Sequence, residues 1–311
     1  MSAEGSSRRR AFALVAGIAA LPALAAEPPP VQAPSWILVE QDSGTVLAAH
    51  DADTPRPPAS VTKIMTGFVV FEAIEAGEVR LDDRARISRK AWKAGRAGSR
   101  SFVRQGSRVP VDDLLRGMAV HSGNDSAMAL AERVGGSEEK FVARMNAASE
   151  RLGLTQTQWA NSTGLDSPDQ RASARDLATL TRALIARFPF GYRYYGEYEF
   201  EWDGVKQHSR NPLLRRAANN ANALPAFDGA DGVKTGFTAA AGYCMVGSST
   251  RGELRLIVVL LGAASNRSRA ADARALLEWG YSEAAGKTTE PLLDSHPERG
   301  AEAATVTAPS R

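Results

Sequence analysis

Ser60-Val61-Thr62-Lys63, Ser122-Gly123-Asn124 and Lys234-Thr235-Gly236 stand in that order along the chain. They supply a hydroxyl with a lysine amine three residues on, a second serine with a carboxamide, and a second lysine beside a glycine. A serine hydroxyl is a poor nucleophile until a base takes its proton. Ser60 and Lys63 share one face of a predicted helix and so can touch. Lysine serves as that base only where burial or a nearby cation disfavours its ammonium, and Lys234 is the candidate cation. Ser60 near the start of a helix also sets a developing oxyanion against backbone N–H groups and the positive dipole end. Ser122 can relay a proton to a leaving amine, and Asn124 can hydrogen-bond a substrate amide. Lys234 and Thr235 would attract a terminal carboxylate. Gly236 leaves room for substrate backbone along an edge strand, and the N–H of Phe237 would complete an oxyanion hole with that of Ser60. Such a set performs acyl transfer through a serine ester, with neither histidine nor metal.

Each motif alone is weak. The first pattern recurs at Ser137-Glu138-Glu139-Lys140, where Ser137 follows two glycines and reads as a helix N-cap. The second recurs at Ser209-Arg210-Asn211, a polar run before a proline that reads as a turn. Taken singly, Ser60 would be an N-cap, Lys63 a surface lysine and Ser122-Gly123-Asn124 an ordinary turn. The ordered triple is what carries weight.

Stepping outward from these residues, 311 residues with 43% hydrophobic content can bury one large core or two modest ones. Residues 1–26 combine Arg8-Arg9-Arg10, an apolar run from Ala11 to Leu24 and small residues at a cleavage site, the pattern of an export signal. Arg9-Arg10-Ala11-Phe12 fits a loose twin-arginine pattern and the general pathway equally. Removing residues 1–25 lowers the formal charge from +3 to +1, and no basic stripe remains to argue for nucleic acid. Cys244 is the only cysteine, which excludes an intramolecular disulfide, and its apolar surroundings predict a buried thiol. The four histidines have no metal-ligand spacing, so neither a metal nor another cofactor is expected.

The elements that must position the motifs are legible in outline. Pro28–Pro34 is a proline-rich connector. Trp36–Glu40 and Thr45–Ala49 flank Asp42-Ser43-Gly44 as a hairpin. Ala59–Ala76, Val111–Val134, Glu138–Leu152 and Ala174–Arg187 read as helical, with Ser122-Gly123-Asn124 as a tight turn between two helices. Gly242–Ser248 and Leu254–Gly262 read as strands, and Ser268–Tyr281 as an amphipathic helix. Strands at both ends around a helical block give an α+β fold whose sheet must join its N-terminal hairpin to its C-terminal strands.

With the motifs and their flanks, the chain resembles the low-molecular-mass penicillin-binding proteins that are serine-type D-Ala-D-Ala carboxypeptidases. The flanks that carry this are Pro58–Thr66, Asp125 after Asn124, Gly164-Leu165-Asp166, Ser173–Leu177 and Val233–Thr238, within a similarity from about Trp36 to Tyr281. The resemblance implies a five-stranded antiparallel sheet flanked by helices, an inserted helical region and a cleft between them. It implies that Ser60 is acylated, that Lys63 is its base, that Ser122, Asn124 and Lys234 complete the site, and that Arg269 is a second cation for the substrate carboxylate. The expected organisation is signal 1–26, linker 27–35, serine peptidase domain 36–282 and disordered tail 283–311. The implied reaction removes the terminal D-Ala from peptidoglycan stem pentapeptides, with β-lactam antibiotics acylating the same serine. Many such proteins continue into a β-rich second domain and an amphipathic membrane helix. Here the tail has no amphipathic period, so no C-terminal membrane anchor is expected, and the mature chain should be periplasmic or secreted. A β-lactamase, a DD-endopeptidase and a non-catalytic peptidoglycan-binding protein remain alternatives. The lactamase ranks lower because residues 161–169 offer Asp166 and no glutamate to activate a deacylating water.

Overall fold

The computed structural model describes residues 27–214 and 225–288, with side chains to residue 285. The expected signal and nearly all of the expected tail lie outside the described residues.

The two ends of the described chain meet in one sheet. Its strands are β1 (Ser35–Glu40), β2 (Val46–His50), β7 (Ala230–Thr238), β8 (Gly242–Arg251) and β9 (Leu254–Ala263), ordered β2-β1-β9-β8-β7 and antiparallel throughout. Between β2 and β7 lie α1 (Lys63–Glu75), β3 (Arg84–Arg86), α2 (Arg89–Arg96), β4 (Arg108–Pro110), α3 (Val111–Ala119), α4 (Asn124–Gly135) and α5 (Glu138–Leu152). They are followed by α6 (Ala174–Arg187), α7 (Pro189–Gly196), β5 (Glu199–Trp202) and β6 (Val205–His208), and α8 (Asn266–Thr288) follows the sheet. This is the expected α+β architecture with its helical insertion.

Central strand β9 shows why the sheet is sandwiched. Successive side chains of a strand point to opposite faces. Ile257, Val259 and Leu261 therefore join Ile37 and Val39 in the large core shared with α1, α3 and α6. Leu256, Val258 and Leu260 join Trp36 and Leu38 against Leu276 and Leu277 of α8. A strand covered on both faces reads as a continuous apolar run, which is how Leu254–Gly262 reads.

Several boundaries moved for physical reasons. The chain enters α1 through a 3-10 turn, Ala59–Thr62, so the expected helix from Ala59 becomes regular only at Lys63. Helix α8 continues to Thr288, beyond the expected domain end at 282. The expected linker is docked: the N–H groups of Gln32 and Ala33 each donate to Asp272 Oδ2 on α8 at 3.1 Å, and Ala33 is buried. The β5–β6 hairpin was legible in Asp203-Gly204, whose positive φ values of 50° and 76° suit a two-residue turn, although the sequence reading did not use it. Ser137 caps α5 by accepting from Lys140 N, and Ser209 accepts from Asn211 N within a turn, as expected of both recurrences. No described helix is long and apolar enough to cross a membrane.

Candidate active site

Ser60 sits in the 3-10 turn and Lys63 on the first residue of α1, one turn below it. Lys63 Nζ lies 2.9 Å from Ser60 Oγ, 2.7 Å from Asn124 Oδ1 and 2.5 Å from the carbonyl of Thr163. The last two are acceptors, so they take two N–H bonds of a neutral amine. The third tetrahedral position, its lone pair, then faces the Ser60 hydroxyl. Lys63 is wholly buried, and burial lowers its pKa from 10.5 to about 7, with Asp125 opposing and Arg210 assisting. A base poised near neutrality can accept the proton of Ser60.

Lys234 was the expected source of the positive field on Lys63; burial and then Arg210 are what lower Lys63. Burial, then Lys63, Arg210 and Arg269, push Lys234 well below its ordinary value. Burial and nearby cations thus disfavour the ammonium of both lysines, and Arg210 acts on each of them.

Ser122 and Asn124 are aimed by a turn without slack. Ser122 holds a left-handed φ of 67°, a strained conformation of the sort kept at functional sites. A Cβ on Gly123 would fall 1.7 Å from Ser101 Oγ, so only glycine lets the 99–103 segment close over the turn. That segment is pinned by Asn124 N donating to Ser99 O and by Ser101 N donating to the buried Asp125 carboxylate. Ser122 Oγ is buried without a hydrogen-bond partner, although it is poised on the cleft. An unsatisfied buried hydroxyl is costly, and a group arriving in the cleft would satisfy it.

Strand β7 forms the opposite wall, with its free edge against Ser60. A Cβ on Gly236 would meet Ser60 N at 2.9 Å and Pro58 O at 3.0 Å, so glycine brings this edge into contact with Ser60. Phe237 follows, its ring paired with Tyr243 at 4.3 Å between centroids. Arg269, on α8, donates to the carbonyls of Gly236 and Cys244 and to Asn266 Oδ1, and is 4% exposed. Ser60, Ser122, Asn124, Thr235, Gly236, Phe237 and Arg269 all line one cleft of about 1160 Å³, with Lys63 and Lys234 buried beside it. Every candidate residue is thus brought to a single place. Cys244 is buried, with burial pushing its thiol up to about 11, so it is no thiolate nucleophile. No cluster of metal-ligating side chains occurs among the described residues.

The sequence profile of the D-alanyl-D-alanine carboxypeptidases matches residues 23–265. The chain belongs to the D-alanyl-D-alanine carboxypeptidase family. It is 43% identical over 259 residues to the D-alanyl-D-alanine carboxypeptidase DacC of Escherichia coli K12, covering 82% of this chain and 62% of that one. DacD of the same organism is 40% identical over 258 residues, covering 82% and 64%. The chain therefore spans about three-fifths of the length of these curated relatives. The crystal structure of penicillin binding protein 6B from E. coli superposes with a TM-score of 0.75 at 39% identity, covering 83% of this chain and 80% of that one.

Three contributors to this carboxypeptidase-family cleft escaped sequence reasoning. Thr163 acts through its carbonyl, which side-chain motifs do not register. Asn161 holds that loop by accepting from Thr163 N and Gly164 N, and Gly164, at φ 84°, packs so closely that a Cβ would lie 1.9 Å from Ala59 O. Arg210 belongs to the run read only as a turn, yet it lines the cleft. Its Nη2 lies 3.3 Å from His121 Nε2, while His121 Nδ1 lies 3.2 Å from the carbonyl of His208. Both contacts are satisfied by a neutral His121 protonated on Nδ1, and burial keeps its pKa below the ordinary value. Asp166, the carboxylate weighed for water activation, accepts from Thr238 Oγ1 at 2.6 Å and so ties the 161–166 loop to β7.

Proposed function

We propose that this chain is a serine D-Ala-D-Ala carboxypeptidase acting on peptidoglycan stem pentapeptides outside the cytoplasm. The observation that carries the reading is the buried Lys63 amine, 2.9 Å from Ser60 Oγ, with a pKa near 7. Ser60 Oγ attacks the carbonyl of the penultimate D-Ala while its proton passes to neutral Lys63. The N–H groups of Ser60 and Phe237 hold the tetrahedral oxyanion. Collapse breaks the C–N bond, and the leaving D-Ala amine takes the proton from Lys63 by way of Ser122. Water then hydrolyses the ester, with Lys63 again accepting a proton, and releases the shortened peptide.

Asn124 hydrogen-bonds the substrate amide, Thr235 and Gly236 flank the peptide along β7, and Lys234 with Arg269 faces its terminal carboxylate. An arriving carboxylate would favour the ammonium form of Lys234 and so oppose the effect of its burial. β-Lactams would acylate Ser60 by the same attack and deacylate slowly. The lack of a glutamate in residues 161–169 to activate a deacylating water supports peptidase over lactamase chemistry.

The test is D-alanine release from diacetyl-Lys-D-Ala-D-Ala by the mature protein and by Ser60→Ala. Release that falls by about 10⁶ in the variant is the expected result. Release that survives the substitution would refute the assignment of the nucleophile.

A further inference from the structure

Near-neutral overall charge conceals a strongly basic stretch. Residues 80–108 hold ten Arg and Lys against two Asp. Most of these cations fall on β3, β4, α2 and the loop after α2, which borders the catalytic cleft, and several like charges are set against one another.

In the β3–β4 pair, Ala85 and Val109 are buried while Arg86 and Arg108 are exposed and sit directly opposite one another. Like charges in that position repel. On α2, Arg89, Lys93 and Arg96 are exposed at spacings of four and three, a stripe of like charge that weakens a helix. Its first turn contains no acidic residue, and Arg89 and Lys90 stand at the positive end of the dipole. Lys90 is compensated by Glu138 and Glu139, and Arg104 by Asp203. Arg86, Arg89, Lys93, Arg96, Arg100 and Arg108 have no ion pair with Asp or Glu among the described residues. The surface therefore lacks its counter-charge.

Two of these guanidinium groups are already oriented. Arg96 lies over Trp92 at 4.9 Å and Arg100 over Phe102 at 4.6 Å. Stacking holds the planar group while its N–H edge stays available for a bidentate carboxylate. The four side chains border a recess of about 240 Å³, which suits a carboxylate with its waters. Asp125 also borders it, but its oxygens are taken by the N–H groups of Ser101 and Ser126. Between Arg96 and Arg100, residues Ala97, Gly98 and Ser99 line the catalytic cleft. Anion recess and cleft are thus two sides of one loop.

We propose that this face is an exosite for anionic peptidoglycan strands, gripping carboxylates of stem peptides that lie outside the scissile D-Ala-D-Ala end. The inference rests on the carboxypeptidase reading. A lipid bilayer fits less well, because the aromatic rings here are capped by guanidinium groups instead of being presented for insertion.

The experiment compares the wild-type protein with Lys93→Glu/Arg96→Glu/Arg100→Glu on two substrates, diacetyl-Lys-D-Ala-D-Ala and soluble uncross-linked pentapeptide glycan strands. On strands at low salt the variant should lose about 10-fold in kcat/KM, mainly through KM. About 0.5 M salt should erase the wild-type advantage, and the small peptide should be turned over equally by both. A milder set with glutamine at the same positions should give a smaller parallel loss. Equal turnover of strands by both proteins, or equal loss on both substrates, overturns the exosite. So does salt-sensitive sedimentation of the wild-type protein with phosphatidylglycerol vesicles but not with insoluble peptidoglycan sacculi. Failure of the wild-type protein to release D-alanine from the small peptide would instead sink the carboxypeptidase reading. Sedimentation of Ser60→Ala with insoluble peptidoglycan sacculi, lost on charge reversal, then reads the exosite without turnover.

Discussion

Two groups of cations lie on either side of the loop from Arg96 to Arg100, and the fold treats them in opposite ways. Inside, Lys63, Lys234 and Arg269 are each less than 5% exposed. Burial strips the two lysines of their preference for charge, and carbonyl and amide oxygens fix where the amines point. Outside, Arg89, Lys93, Arg96 and Arg100 are exposed, with no ion pair to Asp or Glu among the described residues. The comparison teaches that a basic residue becomes a base by losing solvent and becomes an anchor by keeping it. The inner group trades stability for reactivity, and the outer group trades a smaller amount for long-range attraction.

The largest effect should come from breaking the inner group at its centre. Lys63→Met should keep the fold and slow acylation of Ser60 by a fluorescent penicillin by about 10²- to 10⁴-fold. A loss below 10-fold would mean that another base serves. In the intact protein acylation should rise with pH through about 7, because Lys63 must first lose its proton. Stability follows the same sign. The folded pKa lies below the ordinary 10.5, so the unfolded chain binds the extra proton between about 7 and 10.5. Unfolding free energy should climb over that window, measurable by urea titration at several pH values.

Gly164→Ala comes next. Its Cβ would overlap Ala59 O at a backbone φ of 84°, which should cost about 1–3 kcal/mol and loosen the Thr163 carbonyl from Lys63. Urea unfolding and the acylation rate should both register it, and an unchanged rate would mean that the carbonyl is not needed.

Arg210→Gln is a subtler cut at the boundary between the groups. Removing a cation that lowers Lys63 should move the acylation midpoint to higher pH, with little change in melting temperature. A midpoint that stays put would show that burial alone sets it. The smallest effect should come from Lys93→Ala on the outer face, within about 0.5 kcal/mol and toward greater stability, since it relieves repulsion along α2. Thermal melting distinguishes this from a loss of stability, which would mean that Lys93 has a stabilising partner.

Much of the site was readable because its chemistry resides in side chains at short spacing. Ser60 with Lys63, and Ser122 with Asn124, are each brought together by one turn of backbone, so their contact needs no knowledge of the rest of the fold. Lys234-Thr235-Gly236 was readable as a strand edge because a glycine bordering a strand marks close backbone approach. Thr163 was not readable, because a carbonyl acts whatever side chain it carries. Arg210 was read as a turn, which is right for its backbone and silent on the cleft beside it. The basic run was visible in the residues but was averaged away in a net charge.

By itself the sequence determined the ordered serine, lysine and glycine motifs, the two-faced apolar run of β9, and the family these imply. It could not determine how far the ammonium of Lys63 or of Lys234 is disfavoured. Only tertiary structure decided that. It closed Asn124 and Thr163 over Lys63, 61 and 100 residues away in the chain, and set Arg269 and Lys63 around Lys234. The physical reason is that a pKa depends on desolvation and on charges brought near through space, and neither is a property of neighbours in sequence.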